Sequence, residues 1–170
     1  MTAQVLLLRG INVGGHGKLP MADLRALLED LGAGTARTHI QSGNAVVASA
    51  VDPEALADRI EADHGFRPGV FALPGAEWHS RIAQRPFPED PKALHLFFLA
   101  DDGLPDPAPL QALAADSEKL AVTAGVIWLW APDGIGRSKL AAGMERAAGQ
   151  SLTARNWRTV TAITALLDGM

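Results

Sequence analysis

Strand-sized apolar runs and helix-spaced apolar stripes alternate in the same order twice along this chain. That doubled order limits the fold more than any other feature. In the first half, Gln4 to Arg9 is an apolar run of strand length. Pro20 suits a first helical turn, Met21, Leu24, Leu27, Leu28 and Leu31 recur at helical spacing, and Gly32 closes the helix. Arg37 to Gln41 reads as a strand, Ser42-Gly43-Asn44 as a turn, and Ala45 to Ser49 as the returning strand. Asp52-Pro53 caps a helix that runs to His64 and stops at Gly65, and Val70 to Leu73 is a fourth strand. Trp78 and Ile82, four apart, mark a short helix. Arg85-Pro86-Phe87-Pro88-Glu89-Asp90-Pro91 reads as a linker or a rigid crossover, and then the order repeats. Leu94 to Leu99 is a strand, Pro109 to Ala115 a short helix, and Lys119 to Thr123 and Val126 to Trp130 a hairpin around Ala124-Gly125. Leu140, Met144 and Ala147 line a helix ended by Gly149, and Thr153-Ala154-Arg155-Asn156 leads into a last helix carrying Trp157, Val160, Ile163 and Leu167. The order β-α-β-β-α-β followed by a near copy predicts an α+β protein of two ferredoxin-like repeats in tandem, residues 1–84 and 85–170, the second with a C-terminal helix. Halves of about 85 residues are marginal alone, so they are expected to support each other.

Composition narrows the setting. The 170 residues contain no cysteine, which excludes disulfides and cysteine-ligated metals and fits a reducing cytoplasm. No apolar run is long enough to span a membrane, and the start of the chain lacks a basic leader, so a cytoplasmic protein with no membrane partner is expected. A formal net charge of −4 argues against a general nucleic-acid coat. The charge is uneven, however. Residues 86 to 118 hold seven acids and one lysine, whereas residues 137 to 158 hold Arg137, Lys139, Arg146, Arg155 and Arg158 against Glu145 alone.

The first strand runs into Arg9-Gly10-Ile11-Asn12-Val13-Gly14-Gly15-His16-Gly17-Lys18, a polar loop with four glycines. Glycine permits positive φ and close approach of a ligand or second chain. In a ferredoxin-like unit this loop and the middle hairpin turn share one end of the sheet, so Arg9 to Lys18 and Gln41 to Asn44 are expected to be neighbours. Gln150 to Trp157 is expected at the corresponding end of the second half. Three segments then stand out: Leu7 to Gly15, Ile40-Gln41-Ser42-Gly43-Asn44, and Thr153-Ala154-Arg155-Asn156-Trp157-Arg158-Thr159-Val160. With these motifs, in this order, the chain resembles the bacterial family catalogued as domain of unknown function 1697. The resemblance covers nearly the whole length and takes in Lys18-Leu19-Pro20-Met21. It implies a two-repeat fold of ferredoxin-like units and carries no established activity.

Each motif has a ligand reading and a plain one. The glycine loop is not a nucleotide P-loop, which needs glycine where Asn12 stands and Ser or Thr where Leu19 stands. Gly10-x-Asn12-x-x-Gly15 also misses the dinucleotide fingerprint at its second position. Its peptide groups can still hold an anion, or the glycines can simply satisfy a tight crossover. Gln41 and Asn44 offer amides beside Arg9, or make an ordinary hairpin turn. Asn156 fits an N-cap and Trp157 the core, while Arg155 suits a phosphate or carboxylate, or else an internal bridge. Ser138 reads as an N-cap between Arg137 and Lys139. His16, His39, His64, His79 and His95 show no ligand spacing, so no metal site and no cofactor are expected. Ser117-x-Lys119 is a chance-level serine–lysine match, and the chain has no Gly-x-Ser-x-Gly elbow, so no catalytic constellation is identified. Trp128 and Trp130 share a sheet face and read as core.

The leading expectation is a binding protein for an anionic, phosphate-bearing, nucleotide-like ligand. Its residues would be Arg9, Asn12, Gly14, Gly15, Gln41, Asn44, Arg155 and Asn156. Three other classes stay open, one of them an enzyme, since a glycine loop with Arg and Asn can also stabilise a transition-state anion. The motifs can be structural, fixing the repeat junction or a homo-oligomer, with protein–protein interaction as the function. Alternatively, sheet faces and the basic stretch 137 to 158 can bind nucleic acid directly.

Overall fold

The computed structural model describes residues 2–170. It is an α+β chain with two four-stranded antiparallel sheets and six helices. Elements run β1 (Gln4–Arg9), α1 (Met21–Asp30), β2 (Ala36–His39), β3 (Asn44–Val47), α2 (Pro53–His64), β4 (Gly69–Pro74) and α3 (Gly75–Ala83). They continue as β5 (Leu94–Leu99), α4 (Pro107–Gln111), β6 (Lys119–Thr123), β7 (Val126–Trp130), α5 (Lys139–Ala148), β8 (Leu152–Asn156) and α6 (Trp157–Asp168). The first sheet is ordered β2-β3-β1-β4 and the second β6-β7-β5-β8, the same order position for position. One compact unit comprises the residues up to His79 together with Thr161–Met170; the other is Ser80–Val160. The division thus falls before the proline-rich segment, and α6 starts in one unit and ends in the other.

In the first unit, Leu6 and Leu8 of β1 with Ala45 and Val47 of β3 meet Leu24 and Leu28 of α1 and Leu56 and Ile60 of α2. Val5, Leu7 and Val46, on the other face, are equally buried, which is why β1 reads as an unbroken apolar run rather than an alternating one. The α3 indole of Trp78 is fully buried and its Nε1–H donates to Thr164 Oγ1 at 2.9 Å. That bond satisfies the polar end of a side chain whose burial is worth several kcal/mol, here about 3. In the second unit, Phe97, Leu99, Ile127, Leu129 and Leu152 pack on Leu110, Leu140 and Met144.

Helix ends follow local chemistry. Asp52 accepts from Glu54 N–H at 3.1 Å and Ser138 from Ala141 N–H at 3.0 Å, while Gly65 and Gly149 end their helices in the left-handed region. Two readings need correction. First, Thr153 to Asn156 belongs to strand β8, paired with β5, rather than being a lead-in. Second, β2 stops at His39, because Ile40 takes φ +51° and turns the chain out of the ladder. Trp128 lies in the core as its sequence position suggests: it is fully buried, and its Nε1–H donates to Thr123 Oγ1 at 2.8 Å.

Candidate functional site

The glycine loop folds as a miniature hairpin. Val13 N–H donates to His16 C=O at 3.1 Å, His16 N–H returns to Val13 C=O at 2.8 Å, and Asn12 N–H donates to Gly17 C=O at 2.8 Å. Gly14 and Gly15 form the tip with φ +55° and +79°, the positive pair that a primed two-residue turn requires. At Gly17, φ +64°, a Cβ would run into the Gly10 carbonyl, so that glycine is required by the fold of the loop itself.

Asn12 ties this hairpin down. It sits at φ +51°, a region asparagine tolerates better than other side chains. Its Oδ1 accepts from Leu19 N–H at 2.9 Å, and its Nδ2 donates to Leu19 C=O at 2.8 Å and to Gln41 C=O at 2.7 Å. The last bond joins the β1–α1 loop to the β2–β3 turn, so Arg9 to Lys18 and Gln41 to Asn44 do meet at one sheet end. On the turn side, Leu8 N–H donates to Gly43 C=O at 2.8 Å, and buried Asn44 donates to His39 C=O at 2.9 Å and Ser42 Oγ at 3.2 Å. Both asparagine amides thus act inside the scaffold. What this end turns to water is Arg9, Val13, the Gly14–Gly15 tip, His16, Lys18, Ile40 and Gln41.

Arg155 and Asn156 sit elsewhere. In register, Arg155 lies opposite Leu96 and Asn156 opposite His95, at the start of β5. Only the beginning of β8 reaches the sheet end that holds the Ala124-Gly125 turn, so the expectation that the whole of Gln150 to Trp157 lies there is corrected. Arg155 is 8% exposed, donates from Nη1 to Thr153 Oγ1 and to Ala154 C=O, both at 2.7 Å, and is pushed down to about 10 by burial. Asn156 Oδ1 accepts from Thr159 N–H at 2.9 Å, the cap read from the sequence. Trp157 is buried, packs tilted against Trp128 with ring centroids 6.5 Å apart, and carries Arg85 over its ring at 5.2 Å.

Sequence reasoning missed two residues. Arg81 of α3 is buried and donates to Gly125 C=O at 3.1 Å, so the hairpin turn there needs glycine: any Cβ would meet the guanidinium. Ile40 is the other; as a β-branched residue with positive φ it is a strained position, and no local signal announces it. Among the described residues, no group of three or more His, Asp or Glu could hold a metal ion, and no helix is long and apolar enough to cross a membrane.

His95 gives a pH expectation. Burial lowers its imidazole below the ordinary 6.5, and Nε2 lies 3.0 Å from Lys92 C=O. The folded chain therefore favours the neutral ring more than the unfolded chain does. That contribution is complete above about pH 6.5 and is lost as pH falls through the lower folded value. Urea denaturation between about pH 7.5 and 5 should show stability falling less steeply in His95→Gln than in the parent chain.

The chain belongs to a family described as protein of unknown function, DUF1697, whose model matches residues 1–128. No curated protein matches it. Among solved structures it is similar to the conserved bacterial protein SP0830 from Streptococcus pneumoniae, with TM-score 0.74 and 24% identity over 98% of this chain and 98% of that one. That likeness speaks to the fold.

Proposed function

We propose that this member of the family of unknown function binds a phosphate-bearing anion at the loop end of its first unit. Arg9 and Lys18 supply charge, Gln41 an orienting amide, and Gly14 and Gly15 exposed peptide groups at the tip, while Asn12 and Asn44 hold these parts in place. The carrying observation is the 2.7 Å bond from Asn12 to Gln41, which gathers two distant polar segments on one open surface. Charge supports it: the two segments that carry these groups, residues 9 to 22 and 38 to 44, contain no acid, although the chain as a whole carries −4. Arg155 and Asn156 fit the second reading better, because Arg155 donates to Thr153 Oγ1 and Ala154 C=O and Asn156 caps Thr159 N–H, all within the second unit. Both units are read as ferredoxin-like repeats, supported by their identical strand order. A cytoplasmic setting accompanies this reading, supported by the cysteine-free composition.

The test is thermal unfolding with pyrophosphate, sugar phosphates and nucleoside monophosphates. At one hundred times its dissociation constant a ligand adds about 2.7 kcal/mol, a rise of roughly 5–10 °C for a chain of this size. The Arg9→Ala, Lys18→Ala double variant should melt within about 1–2 °C of the parent and lose that rise, since both side chains are exposed. An unchanged rise in the double variant removes this site.

A further inference from the structure

We infer that the phosphate recognised at this end belongs to single-stranded nucleic acid; the inference rests on the phosphate reading above. Two observations point beyond a free phosphate. The first is openness. Small phosphate ligands are held in enclosed sites by inward-facing polar groups. Here the two amides that could line such an enclosure, Asn12 and Asn44, are spent on Leu19, Gln41, His39 and Ser42. The cations Arg9 and Lys18 stand on the outside. An extended polyanion needs no enclosure, because counterion release supplies affinity along an open basic track.

The second is apolar. Val13 is 64% exposed and Ile40 53% exposed, and they flank the Asn12–Gln41 bond on its two sides in sequence. Ile40 is held at φ +51°, where asparagine or glycine would relax the backbone and also suit water. A strained, exposed aliphatic residue beside an exposed Gln41 amide gives a base both a face to rest on and an edge to pair with. Neither inorganic phosphate nor an acidic peptide backbone uses that pair.

The experiment is fluorescence anisotropy with labelled 12-nucleotide single-stranded RNA and DNA, run beside a labelled polyglutamate peptide and competition by ribose 5-phosphate. Two phosphate contacts predict roughly a sevenfold loss of affinity between 50 and 200 mM salt, and Arg9→Ala should flatten the log–log slope by about 0.7. Ile40→Asn should weaken strand binding several-fold at unchanged salt slope, and should fold at least as well as the parent. Equal binding of polyglutamate, or a strand affinity untouched by Ile40→Asn, overturns the inference. Tight ribose 5-phosphate binding without strand binding overturns it while leaving the phosphate reading intact. Binding of neither overturns both.

Discussion

Asn12→Ala is expected to cost about 2–4 kcal/mol and to release the glycine hairpin from the rest of the first unit. Leu19 is fully buried, and both of its peptide groups are satisfied by the Asn12 side chain. Removing that side chain leaves a buried N–H and C=O without their partner, at about 1–3 kcal/mol for such groups. Holding alanine at φ +51° adds roughly 1 kcal/mol more. Asn12→Gly separates the two causes: it relieves the backbone but still lacks the side-chain hydrogen bonds, so it should recover about 1 kcal/mol and no more. Asn12→Asp should do no better than alanine, because a carboxylate would face the carbonyl oxygens of Leu19 and Gln41. Urea denaturation followed by tryptophan fluorescence gives the numbers, and loss of amide protection at Leu19 locates them. An Asn12→Ala chain within about 0.5 kcal/mol of the parent shows that this residue does not fasten the loop.

The same residue illustrates what the sequence discloses. That residues 9 to 18 form a shaped loop is legible, because four glycines in ten residues have few other uses. That this loop meets residues 41 to 44 is legible too, because the element order fixes which strand ends lie together. The partners of Asn12 are not legible, since Leu19 and Gln41 are chosen by tertiary placement rather than by local pattern. An asparagine that binds ligand and one that binds backbone look alike in a sequence. Caps are the opposite case: Asp52, Ser138 and Asn156 bond within two or three residues, and so they can be read directly.

Two misreadings share a physical origin. Thr153 to Asn156 looks like a polar lead-in because it alternates Thr, Ala, Arg and Asn, with nothing to suggest a buried strand. In the fold Thr153 and Arg155 lie on one face of β8, opposite Phe98 and Leu96, and they satisfy one another through the 2.7 Å Nη1–Oγ1 bond. Polar residues can therefore occupy an apolar face when they arrive as a bonded pair, which hydropathy patterns do not register. Ile40 fails for a related reason. A β-branched residue predicts extended backbone, and the left-handed turn at that position is imposed by the joined β2 and β3 strands.

Arg155 then offers the sharpest separation of the two readings of the second-unit motif. Its guanidinium is buried, and desolvation draws it down to about 10. Arg155→Ala should cost about 2–4 kcal/mol, from the vacated volume and from leaving the Thr153 hydroxyl and Ala154 carbonyl without their donor. Arg155→Met fills most of the volume and removes the buried charge, so it should lie much nearer the parent, since apolar replacement of buried ions is often neutral. If the residue is structural, Arg155→Met keeps the full thermal response to phosphate ligands and Arg155→Ala loses stability without losing affinity, measured well below its own melting temperature. If Arg155 instead reaches a ligand, Arg155→Met must remain folded and lose the response as completely as the Arg9→Ala, Lys18→Ala double variant does. Stability and affinity move together only when one group serves both, and the methionine variant is what pulls them apart.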